Sequence, residues 1–157
     1  MTVQIEAFFH SATSTVTCLV WDPATRQAAL IDPVLDYEPK AAKVWHETAD
    51  KLLAAVADRR LDLTWILETH AHADHLSAAH YLREHTQAKV VIGDRITEVQ
   101  RRFAPLFGAD DVSLDGRAFD RLVKDGDRLP LGALEIEVMH TPGHTPACVT
   151  YRVEDAA

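Results

Sequence analysis

Residues 70–75 carry three histidines and an aspartate directly after an apolar run. Imidazole nitrogens and carboxylate oxygens together suit zinc, iron or manganese. No common structural requirement explains such a density of these side chains, so we interpret the segment as a metal site. A segment this short is compatible with one metal ion or with two. The candidate ligands are His70, His72, Asp74 and His75.

A second fragment, residues 140–145, reads His-Thr-Pro-Gly-His-Thr and could supply a further ligand from far along the chain. Proline followed by glycine favours a tight turn, which ends a strand and presents a side chain. Either His140 or His144 could therefore bind the metal, and the spacing alone does not choose between them.

The first cluster follows a predicted buried strand at residues 63–68. In an extended segment, residues i and i+2 point to the same side, so His70 and His72 are expected to project together from the strand end. Asp74 and His75 follow where the chain turns into a predicted helix. Both can then face the same site.

Simpler roles exist for several of these residues. Asp74 is also a suitable helix N-cap, and His75 could be a surface residue of the first helical turn. Asp32 ends a predicted strand before a proline, where it could accept a hydrogen bond from a ligand histidine or act as a simple turn residue. We predict structural or solvated roles for the histidines outside the two motifs, namely His10, His46, His80 and His85.

Alternating or continuous short apolar runs predict nine strands. They cover residues 3–9, 15–21, 27–31, 63–68, 89–92, 121–124, 128–131, 134–139 and 148–153. Helical periodicity predicts three helices. They cover residues 39–57, 74–85 and 96–107, the last broken near Pro105 and followed by an irregular acidic loop over 108–116. This order fits a layered α/β sandwich with mixed sheets.

The composition is that of a globular protein, with 157 residues, 47% apolar and 25% charged. This length suffices for one domain with its own core. The formal charge is −8 and no cluster of lysine and arginine stands out, so nucleic acid is not an expected partner. No apolar run is long enough for a membrane span and residues 1–5 resemble no signal peptide, so we expect a cytoplasmic protein. Cys18 and Cys148 are predicted to be buried free thiols.

Three segments resemble the metallo-β-lactamase superfamily and, within it, the persulfide dioxygenase branch, also called the ethylmalonic-encephalopathy-protein-like group. They are residues 31–37 (Ile-Asp-Pro-Val-Leu-Asp-Tyr), 68–79 (Glu-Thr-His-Ala-His-Ala-Asp-His-Leu-Ser-Ala-Ala) and 141–148 (Thr-Pro-Gly-His-Thr-Pro-Ala-Cys). Hydroxyacylglutathione hydrolases (glyoxalase II) share the metal motif but match less well over residues 31–37. The resemblance implies an αββα sandwich with mixed sheets.

The same resemblance implies a function. Members of this branch bind one Fe(II) through two histidines and an aspartate, and they oxidise glutathione persulfide with O₂ to sulfite and glutathione. The two histidines correspond to His70 and His144, with His140 beside the site at a strand end. Two histidines and one carboxylate leave open positions on an octahedral iron, where the persulfide sulfur and O₂ can bind side by side.

The alternatives belong to other functional classes. His72, Asp74 and His75 match residues that complete zinc sites in hydrolytic relatives, so a Zn(II)-dependent hydroxyacylglutathione hydrolase is the second hypothesis. In the iron branch these three residues would surround the metal or form a vacant second site. The third hypothesis is a catalytically inactive metal-binding fragment.

The resemblance departs from the family at the C-terminus. The aspartate ligand of the family lies in a Gly-Asp-Thr-like segment beyond the last predicted strand, and residues 154–157 (Glu-Asp-Ala-Ala) contain no such segment. We therefore expect residues 1–157 to be the N-terminal portion of the domain, with the C-terminal part missing. Such a portion should leave an unpaired strand edge near residues 148–153 and uncovered apolar surface, which favours a homo-oligomer.

Overall fold

Two packed sheets, a third sheet of three short strands and a layer of helices make up the fold, in a computed structural model that describes residues 2–108, 111 and 113–154. In chain order the strands are β1 (Gln4–His10), β2 (Thr15–Trp21), β3 (Gln27–Ile31), β4 (Val34–Glu38), β5 (Lys43–Trp45), β6 (Asp62–Leu67), β7 (Leu76–Ser77), β8 (Lys89–Gly93), β9 (Arg121–Val123), β10 (Arg128–Leu131), β11 (Leu134–His140) and β12 (Val149–Val153). The helices are α1 (Glu47–Asp58), α2 (Ala79–His85) and α3 (Ile96–Phe107).

The large sheet has the strand order β1-β2-β3-β6-β8-β9. Strands β1, β2 and β3 pair antiparallel, whereas β6, β8 and β9 extend the sheet in parallel. Parallel neighbours need crossover connections, and α1, α2 and α3 lie in the chain segments that connect them. The predicted mixed α/β fold with mixed sheets is therefore confirmed.

Both faces of the large sheet are covered near its centre, which explains the continuous apolar runs of its strands. One face packs against the antiparallel sheet β10-β11-β12, and Trp65 donates its indole N–H to the Pro130 carbonyl across the interface at 2.7 Å. The other face packs against α1 and α2. Fully buried members of the two cores are Leu67, Val91, Leu129, Ile136 and Val138 between the sheets, and Leu19, Leu30, Leu52, Ile66 and Leu82 beneath the helices.

The first helix begins later than predicted, at Glu47 instead of Pro39. Residues 43–45 form β5, which pairs antiparallel with β4 and places Val44 opposite Tyr37. The Asp36 carboxylate of β4 accepts hydrogen bonds from the Thr48 amide at 2.7 Å and the Thr48 hydroxyl at 2.6 Å. These bonds satisfy a helix N-terminus from a distant strand, a tertiary contact that the apolar periodicity does not reveal.

The second helix also starts later than predicted, at Ala79 instead of residue 74. Leu76 and Ser77 pair with Leu35 and Val34 of β4, so the chain stays extended there, and Asp74 is not an N-cap.

Helix α3 continues through Pro105 and ends with Gly108 in the left-handed conformation, at φ 59°. A proline so close to the C-terminal end removes one hydrogen bond of the last turn, and the helix is not broken. Residues 109, 110 and 112 of the predicted acidic loop lie outside the described residues.

Apolar side chains remain exposed at one end of the large sheet. Ile5 is 51% exposed and Phe9 is 67% exposed, and Phe9 pairs across the strands with the exposed Val16. In the part of the chain that the structure describes, β12 pairs with β11 alone, so no strand pairs with its other edge. Among the described residues, no helix combines the length and the apolar character that a membrane crossing requires.

The contact between the β10–β11 turn and the turn after β2 leads to a stability prediction. Gly132 has φ +66°, and an added Cβ would overlap the Thr25 hydroxyl and lie 2.5 Å from an Asp22 oxygen. We expect Gly132→Ala to lower the free energy of unfolding by roughly 2–4 kcal/mol, since left-handed backbone strain and overpacking add. Urea denaturation measures the change.

Gly126 provides a matched control, because its φ is +81° but an added Cβ would meet no described atom within 4 Å. Gly126→Ala should lower the free energy of unfolding by only about 1 kcal/mol, from left-handed backbone strain alone. Equal losses in the two variants would show that the Gly132 contact does not constrain the sheets.

Candidate metal centre

Four histidines converge at the end of β6. The His70 ring lies 4.1 Å from that of His72 and 4.9 Å from that of His144, measured between ring centroids. The His75 ring stacks on His72 at 4.1 Å. Residues 70–75 follow β6 directly, whereas His144 comes from the turn between β11 and β12. The structure thus brings together the two motifs that are far apart in sequence.

Packing of the two sheets holds this convergence in place. The Val149 amide at the start of β12 donates to the Thr69 carbonyl at 3.0 Å, and the buried Tyr151 hydroxyl donates to the Glu68 carbonyl at 2.9 Å. Both acceptors lie directly after β6, immediately before the histidines. The turn that carries His144 is therefore fixed relative to residues 70–75 by backbone contacts.

Asp32 is the main hydrogen-bonding partner of the cluster. Its carboxylate accepts from the Thr69 amide at 2.8 Å, from the Thr69 hydroxyl at 2.7 Å and from His72 Nε2 at 2.9 Å. The Thr69 hydroxyl, having donated to Asp32, accepts from His70 Nδ1 at 2.8 Å. One carboxylate therefore sets the tautomer of His72 directly and that of His70 through Thr69.

The hydrogen bonds determine which ring nitrogens remain for a metal. His70 keeps Nε2, because its other nitrogen is engaged. His72 Nε2 is engaged as well, so only its Nδ1 could bind a metal, and only after the ring has lost the proton on that atom. His75 donates from Nδ1 to the Leu76 carbonyl at 2.9 Å, which leaves its Nε2. Ligand atoms of His72, Asp74 and His75 lie within 4.8 Å of one another, a spacing that a single ion can bridge.

A second compact group consists of Asp32, Glu68 and His72. Glu68 is almost completely buried, accepts a hydrogen bond from the Ser77 hydroxyl and places Oε2 3.2 Å from His72 Nε2. Both carboxylates thus face the same edge of the imidazole. Their contacts are those of hydrogen-bonding partners that fix the His72 ring, and we interpret the group in that way.

These contacts and the burial of the site shift the pKa values of its side chains. Burial opposes the charge on His72, but the adjacent carboxylates of Asp32 and Glu68 outweigh it and raise the pKa of His72 to about 10. Burial and the neighbouring His72 lower the pKa of His70, which keeps that ring neutral and able to donate a lone pair. Burial raises the pKa of the Glu68 carboxyl. The Asp32 carboxyl is buried as well, but its hydrogen bonds from His72 and Thr69 lower the pKa.

The two histidines of the second motif occupy different places. His144 lines a cavity of about 450 Å³, which we call the sheet-side cavity. Its lining also includes Thr15, Val16, Asp32, His70, His72, Ala73, Asp74 and His75. His140 instead donates from Nε2 to the Pro146 carbonyl at 3.0 Å, so it braces the turn that carries His144. The structure therefore places His144, not His140, beside His70.

The turn is also held by Cys148, whose sulfur accepts from the Thr145 amide at 3.2 Å. Both cysteines are free, as predicted, although each is partly instead of fully buried.

The remaining histidines have contacts outside the converging rings. His10 contacts Thr13 and Asp36, and His46 stacks on Tyr81. Sequence reasoning missed the two contributors directly before the histidines, Thr69 and Glu68. The available signal was a carboxylate at the end of a buried strand, where a charged side chain needs a partner.

Asp32 generates a prediction about metal affinity. Asp32→Asn places an amide where three donors converge, so the imidazoles of His70 and His72 lose their fixed orientation. We expect metal affinity to fall by about 10- to 100-fold, measured by competition with a chromogenic chelator. Asp36→Asn is the control, since Asp36 is a buried carboxylate that contacts His10 and Thr48 instead. Equal losses of affinity in the two variants would contradict the orienting role.

Comparisons with known proteins show the family. The family model of the metallo-β-lactamase superfamily matches residues 12–156. A probable metallo-hydrolase of Burkholderia pseudomallei (strain 1710b) is 50% identical over 153 residues, which are 97% of this chain and 52% of that protein. The mitochondrial persulfide dioxygenase ETHE1 of Homo sapiens is 31% identical over 155 residues, 98% of this chain and 49% of that one.

A solved structure shows the same architecture. The crystal structure of ETHE1 from Myxococcus xanthus superposes with a TM-score of 0.72 and 37% identity, covering 97% of this chain and 54% of that chain. The chain spans about half the length of the curated relatives it matches. The converging histidines, the layered mixed sheets and the family match lead to one conclusion: the chain belongs to the metallo-β-lactamase superfamily.

Proposed function

We propose that the protein is a persulfide dioxygenase, which oxidises glutathione persulfide with O₂ to sulfite and glutathione at a mononuclear Fe(II) site. The observation that carries this proposal is the placement of His70 beside His144 at the open sheet-side cavity. Similarity to the human persulfide dioxygenase supports the same assignment.

Two of the donors fit such a metal. Imidazole nitrogens are ligands of non-haem iron, and the fixed tautomer of His70 leaves Nε2 for coordination, while no carboxylate of the described residues is assigned as the third ligand. In this proposal His70 and His144 hold the iron, while His72, Asp74 and His75 line the adjacent space. Iron, when bound, supplies the redox chemistry between O₂ and the persulfide sulfur. The protein's own contribution is to fix the imidazoles through Asp32 before the metal binds.

A second candidate is a Zn(II)-dependent hydroxyacylglutathione hydrolase. The close group of His72, Asp74 and His75 favours it, since these side chains could complete a zinc site next to His70 and His144. The relative from Burkholderia pseudomallei, a probable metallo-hydrolase, supports it as well. A metal-binding protein without catalytic activity is the third candidate.

Metal analysis and O₂ uptake distinguish these functions. We expect the purified protein to contain iron in preference to zinc and to consume O₂ when glutathione persulfide is added. His144→Ala should lower metal affinity by more than about 100-fold, because loss of a ligand's hydrogen-bonding partner alone already costs up to that factor. His85→Ala is the control, since its ring lies tilted against that of Tyr81 at the helix surface.

Each contrary result identifies an alternative. Bound zinc with hydrolysis of a glutathione thioester and no O₂ uptake would support the hydrolase. Bound metal without either reaction would support the inactive metal-binding protein. Full metal content in His144→Ala would show that the ligand set is wrong.

We further propose that the protein forms homo-oligomers through the β12 edge that pairs with no described strand and through the exposed side chains of Ile5, Phe9 and Val16. Unpaired strand edges and exposed apolar surface favour such association. The double variant Ile5→Ser/Phe9→Ser should shift sedimentation towards the monomer. Leu106→Ser, an equally polar change at an exposed residue of α3, should not. A strict monomer with a sharp, cooperative melt would contradict the proposal.

A further inference from the structure

The histidine cluster separates two cavities. One is the sheet-side cavity. The other, of about 320 Å³, lies between α2, β8 and residues 118–119, and we call it the helix-side cleft. Its lining consists of Glu68, His70, Ala71, His72, His75, Leu76, Ser77, Ala79, His80, Arg83, Val90, Ile92, Ala118 and Phe119. Both cavities share His70, His72 and His75, so a ligand in either one reaches the same imidazoles.

The two cavities differ in charge. Among the described residues that line them, Arg83 in the helix-side cleft is the only lysine or arginine. The sheet-side cavity contains the carboxylates of Asp32 and Asp74. The described lining of the helix-side cleft combines Arg83 with one carboxylate, that of Glu68, so its formal charges balance, whereas that of the sheet-side cavity has two carboxylates. In a chain with a formal charge of −8, an anionic ligand is therefore repelled less from the helix-side cleft, where Arg83 can pair with it.

The floor of the helix-side cleft is apolar. Ala79, Val90, Ile92 and Phe119 contribute to its lining, which also includes Arg83 and the histidines. Small-molecule sites commonly combine an apolar lining with a few placed polar groups, at volumes from about 300 Å³ upward. The cleft thus has the size and chemistry for a ligand with one anionic group and an apolar or sulfur-bearing body.

Neighbouring side chains hold Arg83 in place, but its guanidinium keeps N–H donors for a ligand. Its Nη1 lies 3.4 Å from both oxygens of Asp120, and its Nη2 lies 3.3 Å from His80 Nδ1. Asp120 is itself held by the Val90 amide at 2.8 Å. These contacts are long, about a third of the arginine side chain is exposed, and a guanidinium has five N–H donors. Its planar fork matches a carboxylate in two-point contact.

We propose that the helix-side cleft binds the carboxylate-bearing part of the thiol carrier, with Arg83 pairing one carboxylate and the persulfide sulfur directed towards His70, the iron-holding residue of the proposed function that lines both cavities. This inference rests on the proposed persulfide dioxygenase function. It assigns a specificity-determining role to Arg83: selection for carriers with a carboxylate, such as glutathione persulfide, over neutral persulfides.

Kinetics with two substrates test the assignment. Arg83→Gln should raise KM for glutathione persulfide about tenfold, the size expected for loss of a charged hydrogen bond, and leave kcat within about twofold. KM for the neutral 2-hydroxyethyl persulfide should not change. Arg83→Lys, which keeps the charge but loses the fork, should have an intermediate KM. Arg128→Gln is the control, because it removes the same charge from an exposed pair with Glu135 on the second sheet.

Equal changes of KM for both persulfides in Arg83→Gln, or no change for either, would overturn the inference. Calorimetry with the unreactive S-methylglutathione tests binding without turnover. We expect binding about tenfold weaker in Arg83→Gln and unchanged in Arg128→Gln. Equal binding by the wild type and Arg83→Gln, or no binding to the wild type, would overturn the inference. An absence of O₂ uptake with both persulfides, combined with arginine-dependent binding of S-methylglutathione, would reject the dioxygenase but keep the cleft.

Discussion

The Asp32 carboxylate is the constraint on which the rest of the site depends. It lies just beyond β3 and receives hydrogen bonds from Thr69, just beyond β6, and from the His72 ring. Its backbone has φ +50°, an uncommon conformation for a residue other than glycine, and it is held there by the Leu67 carbonyl and the Thr17 hydroxyl. A local backbone cost of this kind is found where surrounding structure enforces it, often at functional sites.

The large sheet holds Asp32 and Thr69 in fixed positions relative to each other. Strands β3 and β6 are parallel neighbours buried on both faces, so the chain segments that follow them emerge at the same edge with little freedom to move. Ligand sites of open α/β sheets form at such carboxyl ends. His144 joins the site only because β12 packs beside β6, as the contact between Val149 and Thr69 shows. The inter-sheet core and the candidate metal centre are therefore parts of one arrangement.

Burial of charge around His72 is costly unless the groups neutralise one another. Asp32 and Glu68 flank one side of the ring, and the aspartate also receives both donors of Thr69. Asp32 also lines the sheet-side cavity, together with the carboxylate of Asp74, whereas Glu68 and Arg83 line the helix-side cleft. The two carboxylates that orient His72 therefore face different cavities.

The sequence by itself determined the metal motif, the alternating pattern of most strands and the order of elements, because these depend on residue type and spacing along a local segment. Tertiary structure decided the rest. Nothing local in residues 39–45 or 76–77 reveals their pairing with β4, which delays α1 and α2 relative to their apolar periodicity. The choice of His144 over His140 as the neighbour of His70, and the roles of Thr69 and Glu68, likewise depend on contacts between segments far apart in the chain. Distances between such segments are set by how two sheets and a helix layer pack, and no periodicity in one segment encodes them.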